Sequence, residues 1–326
     1  MQRVLPMQPS DPDREAIRTL FLREGFDHVG FCNASPVPDT ITPWVHAGHH
    51  ASLEWMEREP ASRTDPKLLL AGARTVICVA AAYPATDARG AVAGYARGED
   101  YHQTLPAALQ RAVQKMTAQY PEAVTKVCVD TAPLLERSFA ARAGLGWIGR
   151  NTMLLNEHHG PWQLLGEVIT TLKIEPDEPA ADRCGTCTAC VDACPTEALG
   201  PDRALDARRC LSYWTIEHRG DLPPEWAERL EHRAFGCDDC LTACPFPADS
   251  PAKEKASCSS DHSPEKVAEP PFSPRPDLTE ITLDQLEQRA RESFRRHYGS
   301  TPLERARRGG LLRNIAACRA TPRQDL

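Results

Sequence analysis

CGTCTACVDACP, residues 184–195, is the stretch on which the rest of the chain is read. Its spacing is C-x2-C-x2-C-x3-C followed by proline, a run that holds [4Fe–4S] clusters. Three thiolates two residues apart let one tight loop wrap a cluster, and Cys194, beside Pro195, opens the next segment. A second run, CDDCLTACP at 237–245, is C-x2-C-x3-C-P, with Ala234 where an ideal repeat has its first cysteine. Cys210 in ARRCLSYW is the available replacement. Paired C-x2-C motifs also bind zinc, which stays open as the competing ligand chemistry. The two closing Cys-Pro pairs favour clusters.

In the crossed arrangement of two-cluster ferredoxins the fourth cysteine of each run serves the other cluster. That assigns Cys184, Cys187, Cys190 and Cys244 to one cluster and Cys194, Cys210, Cys237 and Cys240 to the second. Of the 13 cysteines, Cys32, Cys78, Cys128, Cys258 and Cys318 remain, scattered; Cys78 and Cys128 lie in apolar strand-like runs and read as core. A two-cluster module takes roughly sixty residues. Most of the 326 residues must therefore use the electrons that the clusters carry.

Composition narrows what that use is. Hydrophobic residues make up 41% and charged residues 25%, as in an ordinary globular chain. The 29 prolines indicate many loops and short elements. No apolar run approaches the ~20 residues of a membrane helix. The N-terminus shows neither an export-signal core nor twin arginines, so the expected location is the cytoplasm, where cysteines ligate metals rather than pair. A membrane protein and a secreted disulfide scaffold are excluded. The net charge of −7 is uneven: residues 289–326 hold ten arginines against three acids, leaving +7 there and −14 on the rest. Such a segment is either a footprint for a polyanion or a solvated helix face.

Strands are predicted at 28–32 (HVGFC), 75–83, 125–130, 151–156 and 162–174, with helical patterns after Asp11-Pro12 and near 41–58, 100–119 and 133–143. The expected class is α/β (α+β): a catalytic domain over 1–178, a ferredoxin-like double-cluster domain over 179–249, a Ser/Pro/Lys-rich linker over 250–277, and a basic helical tail over 278–326. In the tail, Thr282 precedes LDQLEQRARESFRRHY and Gly299 ends it. Chemistry is sought in VCVDTAPLLERSFAARAGLGWIGRNTMLL, 127–155. Asp130 stands at a strand end, either facing a ligand or, with Thr131, capping the next helix. The glycines of AGLGWIG do not follow the dinucleotide fingerprint.

ASRTDPKLLL, ARGEDYHQTL, the 127–155 stretch, the cysteine runs, RRCLSYWTIEHRG and the tail pattern F…GS…R…LLRN together resemble the epoxyqueuosine reductase family over nearly the whole chain. The resemblance implies reduction of epoxyqueuosine to queuosine at the tRNA wobble position, with cobalamin and two [4Fe–4S] clusters. It implies Asp130 as proton donor, with a carboxyl pKa raised by burial. It places Arg63, Ala93, Asp130, Glu136, Arg137, Asn151, Leu154, Leu165 and Ser212 at the corrinoid, with Arg150 and Asn151 able to bond corrin amides or the nucleotide tail. His102 either lines the pocket or caps a helix, and Arg63 alone would read as a helix-start cation. The tail arginines and LLRN would hold phosphates. Many relatives carry a helical-repeat extension after this segment. The implied partners are tRNA and a low-potential electron donor, with no membrane and a monomeric chain. The alternative is a corrinoid reductase of a small molecule, like the reductive dehalogenases.

Overall fold

The computed structural model describes residues 12–85, 90–246 and 270–320. The expectations for Cys258, most of the linker and Arg323 fall outside the described residues. The central sheet has four strands, β1 (His28–Asn33), β2 (Thr75–Ala82), β3 (Thr125–Cys128) and β4 (Gln163–Thr170), in the order β1-β2-β4-β3. Every pairing is antiparallel, so the expected class is realised in its α+β form. β2 is buried at all eight positions because both faces of the sheet are covered.

Side-chain alternation sorts the two faces. Ile77, Val79 and Ala81 meet Ile17 and Phe21 of α1 (Arg14–Arg23) and Leu105, Leu109 and Met116 of α2 (Tyr101–Gln119). Val76, Cys78 and Ala80 meet Phe139 and Ala140 of α3 (Glu136–Arg142). Cys78 and Cys128 are core residues, as their apolar surroundings suggest. The region near 41–58 forms two short pieces, Ile41–His46 and Glu54–Met56, separated where Gly48 takes a left-handed φ of +71°. The strand expected at 151–156 shrinks to Leu154–Leu155, which pairs with Trp147–Ile148.

The tail is not an appendage. α4 (Leu283–Tyr298) starts at a capping box between Thr282 and Gln285, and α5 (Arg307–Ala320) follows it. Leu286, Tyr298, Leu311 and Ile315 share one core with Leu211, Leu230, Ala234 and Phe235 of the cysteine-bearing segment. Asn314, fully buried, donates from Nδ2 to the carbonyls of Thr215 (2.7 Å) and Ala234 (2.9 Å). Arg313 donates to the carbonyls of Trp214, His218 and Gly220. The LLRN segment therefore ties the tail to the cysteine segment instead of offering these two side chains to phosphates. Backbone carbonyls in a buried seam need donors, and this pair supplies them.

Candidate active site and cysteine centres

Cys184, Cys187, Cys190 and Cys244 line one cavity of about 130 Å³, with Arg150, Asn151 and Phe246 in its wall. Cys194, Cys210 and Cys237 form a second set around Cys240, whose thiol feels the charge of all three. The chain thus brings together the two sets that the crossed pattern expects. Burial lifts the thiols of Cys190, Cys210 and Cys244; burial and then the Asp239 charge drive Cys237 further up, and burial with the charges of its neighbouring thiolates does the same to Cys240. Metal must displace those protons on binding. Backbone N–H groups of Ser212 and Tyr213 aimed at Cys210 favour its thiolate, and the Ala198 N–H points at Cys194 Sγ from 3.2 Å. Among the described residues, no three His, Cys, Asp or Glu side chains converge as the ligands of a single ion would. Four thiols standing around a cavity suit the outer corners of a four-iron cubane better than one zinc ion.

β3 ends at Cys128, and the chain then turns sharply. Asp130 has φ +49°, the left-handed region, and the Thr131 N–H closes a three-residue turn onto the Val129 carbonyl. Such a conformation costs a non-glycine residue about 1–3 kcal/mol and persists only where its surroundings hold it. Here the Asp130 N–H donates to Glu136 Oε1, at the start of α3. Leu135 occupies the cap of α3 without a side-chain bond, so Asp130 and Thr131 are not helix caps. The turn presents the Asp130 carboxylate outward, 53% exposed.

Asp130 Oδ2 lies 2.8 Å from His102 Nε2, and His102 Nδ1 lies 2.7 Å from Asp100 Oδ1. Asp100 is the N-cap of α2, accepting the His102 N–H. His102 therefore lines the site while its neighbour caps the helix. Hydrogen bonds to Asp100 and then Asp130 raise the imidazole pKa to about 9. Desolvation by the surrounding protein works to raise Asp130, half-exposed though it is, but the His102 bond and charge, with the Tyr101 hydroxyl, outweigh it and hold the carboxyl below its ordinary value. This corrects the expectation of a raised Asp130 pKa: at neutral pH the mobile proton sits on the imidazole side of the pair. Burial and the Asp130 charge push Glu136 up to about 7.

The other expected residues divide between two places. Arg63 donates from Nη2 to the Trp55 carbonyl (2.7 Å), and its own carbonyl accepts the Leu135 N–H, fixing it against the Asp130 turn. Arg137 bonds the Thr152 carbonyl and feels both Asp130 and Cys240, so it stands between the turn and the second cysteine set. Ala93 is buried and hydrogen-bonded to Phe235, and Ser212 adjoins Cys210. Leu154 and Leu165 pack in the core on the α3 face. Arg150 and Asn151 instead sit at the first cysteine cavity, bonding the carbonyls of Gly185 and Cys240. Tyr101, stacked on His102 at 4.1 Å, and Asp100 escaped the sequence reading. Their signal was EDYH itself, a capping aspartate followed by two polar rings on the first helical turn.

In the tail, most arginines are already engaged. Arg289 pairs with Asp277, Arg291 and Arg319 with Glu287, and Arg305 with Glu217, while Arg308 bonds the Ala290 carbonyl. Among the described residues, exposed Arg295, Arg296 and Arg307 are the tail arginines without an ion pair or side-chain hydrogen bond. Arg305 also lies over the half-exposed Trp55 ring, 5.0 Å from its centroid.

Residues 183–247 match a family described as a 4Fe-4S double cluster binding domain, and residues 63–131 one described as epoxyqueuosine reductase QueG. An epoxyqueuosine reductase of Xanthomonas campestris is 35% identical, the match covering 95% of this chain and 87% of the relative. The chain belongs to the epoxyqueuosine reductase family. Among solved structures, an epoxyqueuosine reductase of Streptococcus thermophilus is similar with a TM-score of 0.80 and 29% identity, over 94% of this chain and 80% of that one. An epoxyqueuosine reductase crystallised with an epoxyqueuosine-modified tRNA-Tyr stem loop is similar with a TM-score of 0.79 and 30% identity, over the same shares. The family segment runs from Arg63 to Thr131, so the epoxyqueuosine reductase match contains Asp100, Tyr101, His102 and Asp130. No helix among the described residues is long and apolar enough to cross a membrane.

Proposed function

We propose that the protein reduces epoxyqueuosine in the anticodon of tRNA to queuosine, with cobalamin and two [4Fe–4S] clusters as its redox groups. The observation that carries this reading is the Asp100–His102–Asp130 chain at an exposed turn, in a member of the epoxyqueuosine reductase family. The eight grouped cysteines are the cluster ligands in this reading, in the two sets described. Arg63, Ala93, Glu136, Arg137, Leu154, Leu165 and Ser212 would hold the corrinoid beside Asp130. Buried Arg63 Nε, whose residue is tied to the turn through Leu135, has no hydrogen-bond partner, which suits a ring fringed with amides. Cobalamin bound there supplies a strongly reducing cobalt that the clusters refill by single electrons.

The residues of the chain handle protons. Deoxygenating an epoxide to an alkene consumes two electrons and two protons and releases water. Asp100 fixes the His102 tautomer, His102 holds the proton, and Asp130 passes it to the opening epoxide oxygen. Exposed Arg295, Arg296 and Arg307 are the tail cations available to phosphates. We further assign a low-potential electron donor, a monomeric chain in the cytoplasm, and the four-part division at 1–178, 179–249, 250–277 and 278–326.

Nucleoside mass spectrometry tests the reading. Anaerobically reconstituted protein, cobalamin and a chemical reductant are mixed with tRNA from cells lacking the activity. Conversion of epoxyqueuosine to the species one oxygen lighter is expected. No conversion, with clusters and corrinoid verified in place, would move the assignment to a small-molecule reductase.

A further inference from the structure

AGLGWIG, residues 143–149, leads into the hairpin in which Trp147–Ile148 pair with Leu154–Leu155. Gly146 permits that pairing, since a Cβ there would lie 1.9 Å from the Leu155 carbonyl oxygen. Trp147 is buried, and its ring packs edge-on against Phe246 with centroids 4.9 Å apart. A buried indole N–H takes an acceptor. Here Trp147 Nε1 donates to Cys184 Sγ from 3.4 Å. Backbone N–H groups of the cysteine segment bond other sulfurs: Ala198 to Cys194, Ser212 and Tyr213 to Cys210, Phe246 to Cys244. Trp147 is instead a side-chain donor brought to Cys184 from 37 positions away.

The same hairpin is fastened on three sides. Its loop donates from Arg150 Nη2 to the Gly185 carbonyl (3.0 Å) and from Asn151 Nδ2 to the Cys240 carbonyl (3.2 Å). The Thr152 carbonyl accepts from Arg137 Nη1 (2.8 Å), on α3 beside the Asp130 turn. One short element is thus tied to both cysteine sets and to α3, so the indole is held in place and not left to swing away from the sulfur.

We propose that Trp147 tunes the first [4Fe–4S] cluster through Cys184, raising its reduction potential and so bringing it within reach of weaker electron donors. This rests on the two-cluster reading above. Reduction adds one electron, taken from a low-potential one-electron donor, and makes or breaks no bond. The added negative charge spreads onto the thiolate sulfurs. An N–H aimed at Cys184 Sγ therefore binds the reduced state more strongly than the oxidised one, and the potential rises. Trp147 touches Cys184 and not the substrate; it is a positioning residue for the electron.

Two measurements test this, and neither uses cobalamin or tRNA. The first is pulsed EPR of the reconstituted, dithionite-reduced wild type, grown on tryptophan isotopically labelled at the indole nitrogen. A coupling of that nitrogen, carried through the hydrogen bond, is expected on one cluster signal. Its absence overturns the proposal even if the variant below fails to fold. The second is an EPR-monitored redox titration of Trp147→Phe, which keeps a ring against Phe246 and removes the N–H. At a fixed solution potential, the reduced-to-oxidised ratio of one cluster should fall about tenfold, about 59 mV for one electron, with the other cluster unmoved. Cys187→Ser replaces one ligand of the first set and should alter that same signal, which identifies it. Both clusters shifting together, neither shifting, or a shift confined to the second set makes Trp147 structural and overturns the tuning. A wild type that holds zinc and gives no iron signal defeats the two-cluster reading, and the proposal with it. Epoxyqueuosine conversion enters neither readout, so failure of that reaction is told apart from failure of the tuning.

Discussion

Asp130 is held in a left-handed turn that asparagine adopts with ease, which makes Asp130→Asn the informative change. The variant should retain fold, clusters and corrinoid and lose turnover by about 10²- to 10⁴-fold in single-turnover assays. Asp130→Ala should likewise abolish turnover with the cofactors retained; their loss would make the residue structural. His102 adds a pH signature. Its folded pKa of about 9 stands above the ordinary 6.5, so its bonds to Asp100 and Asp130 stabilise fully below pH 6.5 and are lost as pH rises through 9. His102→Gln should therefore lower the thermal midpoint at pH 6 and cost nothing by pH 10, as followed by calorimetry. The depressed Asp130 carboxyl works oppositely, contributing above its ordinary pKa and losing that contribution as pH falls through the lower folded value. Glu167 of β4 is fully buried with no hydrogen-bond partner for either carboxyl oxygen, so Glu167→Leu should stabilise the fold by about 1–3 kcal/mol in denaturant titration. Asp130 was legible because a strand end and a motif mark it. The direction of its pKa was not, since that depends on His102, 28 positions away, reaching it in space.

At the scale of elements, local signals carried far. Thr282 with Gln285 spells a capping box in sequence and forms one, so Thr282→Ala should cost about 1 kcal/mol. The apolar run of β2 was visible, but not the antiparallel order of the sheet, because strand direction depends on how loops of very different length return. The least legible element was α5. Its arginines and Asn314 read as a phosphate-binding face, whereas Asn314 spends both amide donors on carbonyls 80 and 99 positions away. Asn314→Ala leaves those buried acceptors bare and should destabilise by about 2–4 kcal/mol, with the cysteine segment loosened, as hydrogen exchange at Thr215–Phe235 would report. Asn314→Asp should be no better, since a carboxylate offers no donors.

For the molecule as a whole, charge counting overstated the tail. Of the ten arginines in sequence nine lie among the described residues, and neighbouring acids and carbonyls take six of these, leaving three unengaged cations. Binding of a tRNA anticodon stem loop should thus show a modest salt dependence. The triple variant Arg295→Gln, Arg296→Gln, Arg307→Gln should reduce the log–log salt slope by about 2–3 in fluorescence anisotropy, with clusters and thermal midpoint unchanged.

The crossed cysteine sets have a consequence for how the protein is made. Cys244, late in the chain, completes the ring begun by Cys184, while Cys194 must wait for Cys237 and Cys240. A nascent chain that ends between residues 210 and 237 owns three cysteines of the first set, two of the second and the whole of neither. In the proposed ligand assignment the second set is complete at Cys240 and the first only at Cys244, so neither cluster can be fully held until almost the whole cysteine segment has been made, and each run contributes to holding the other's cluster.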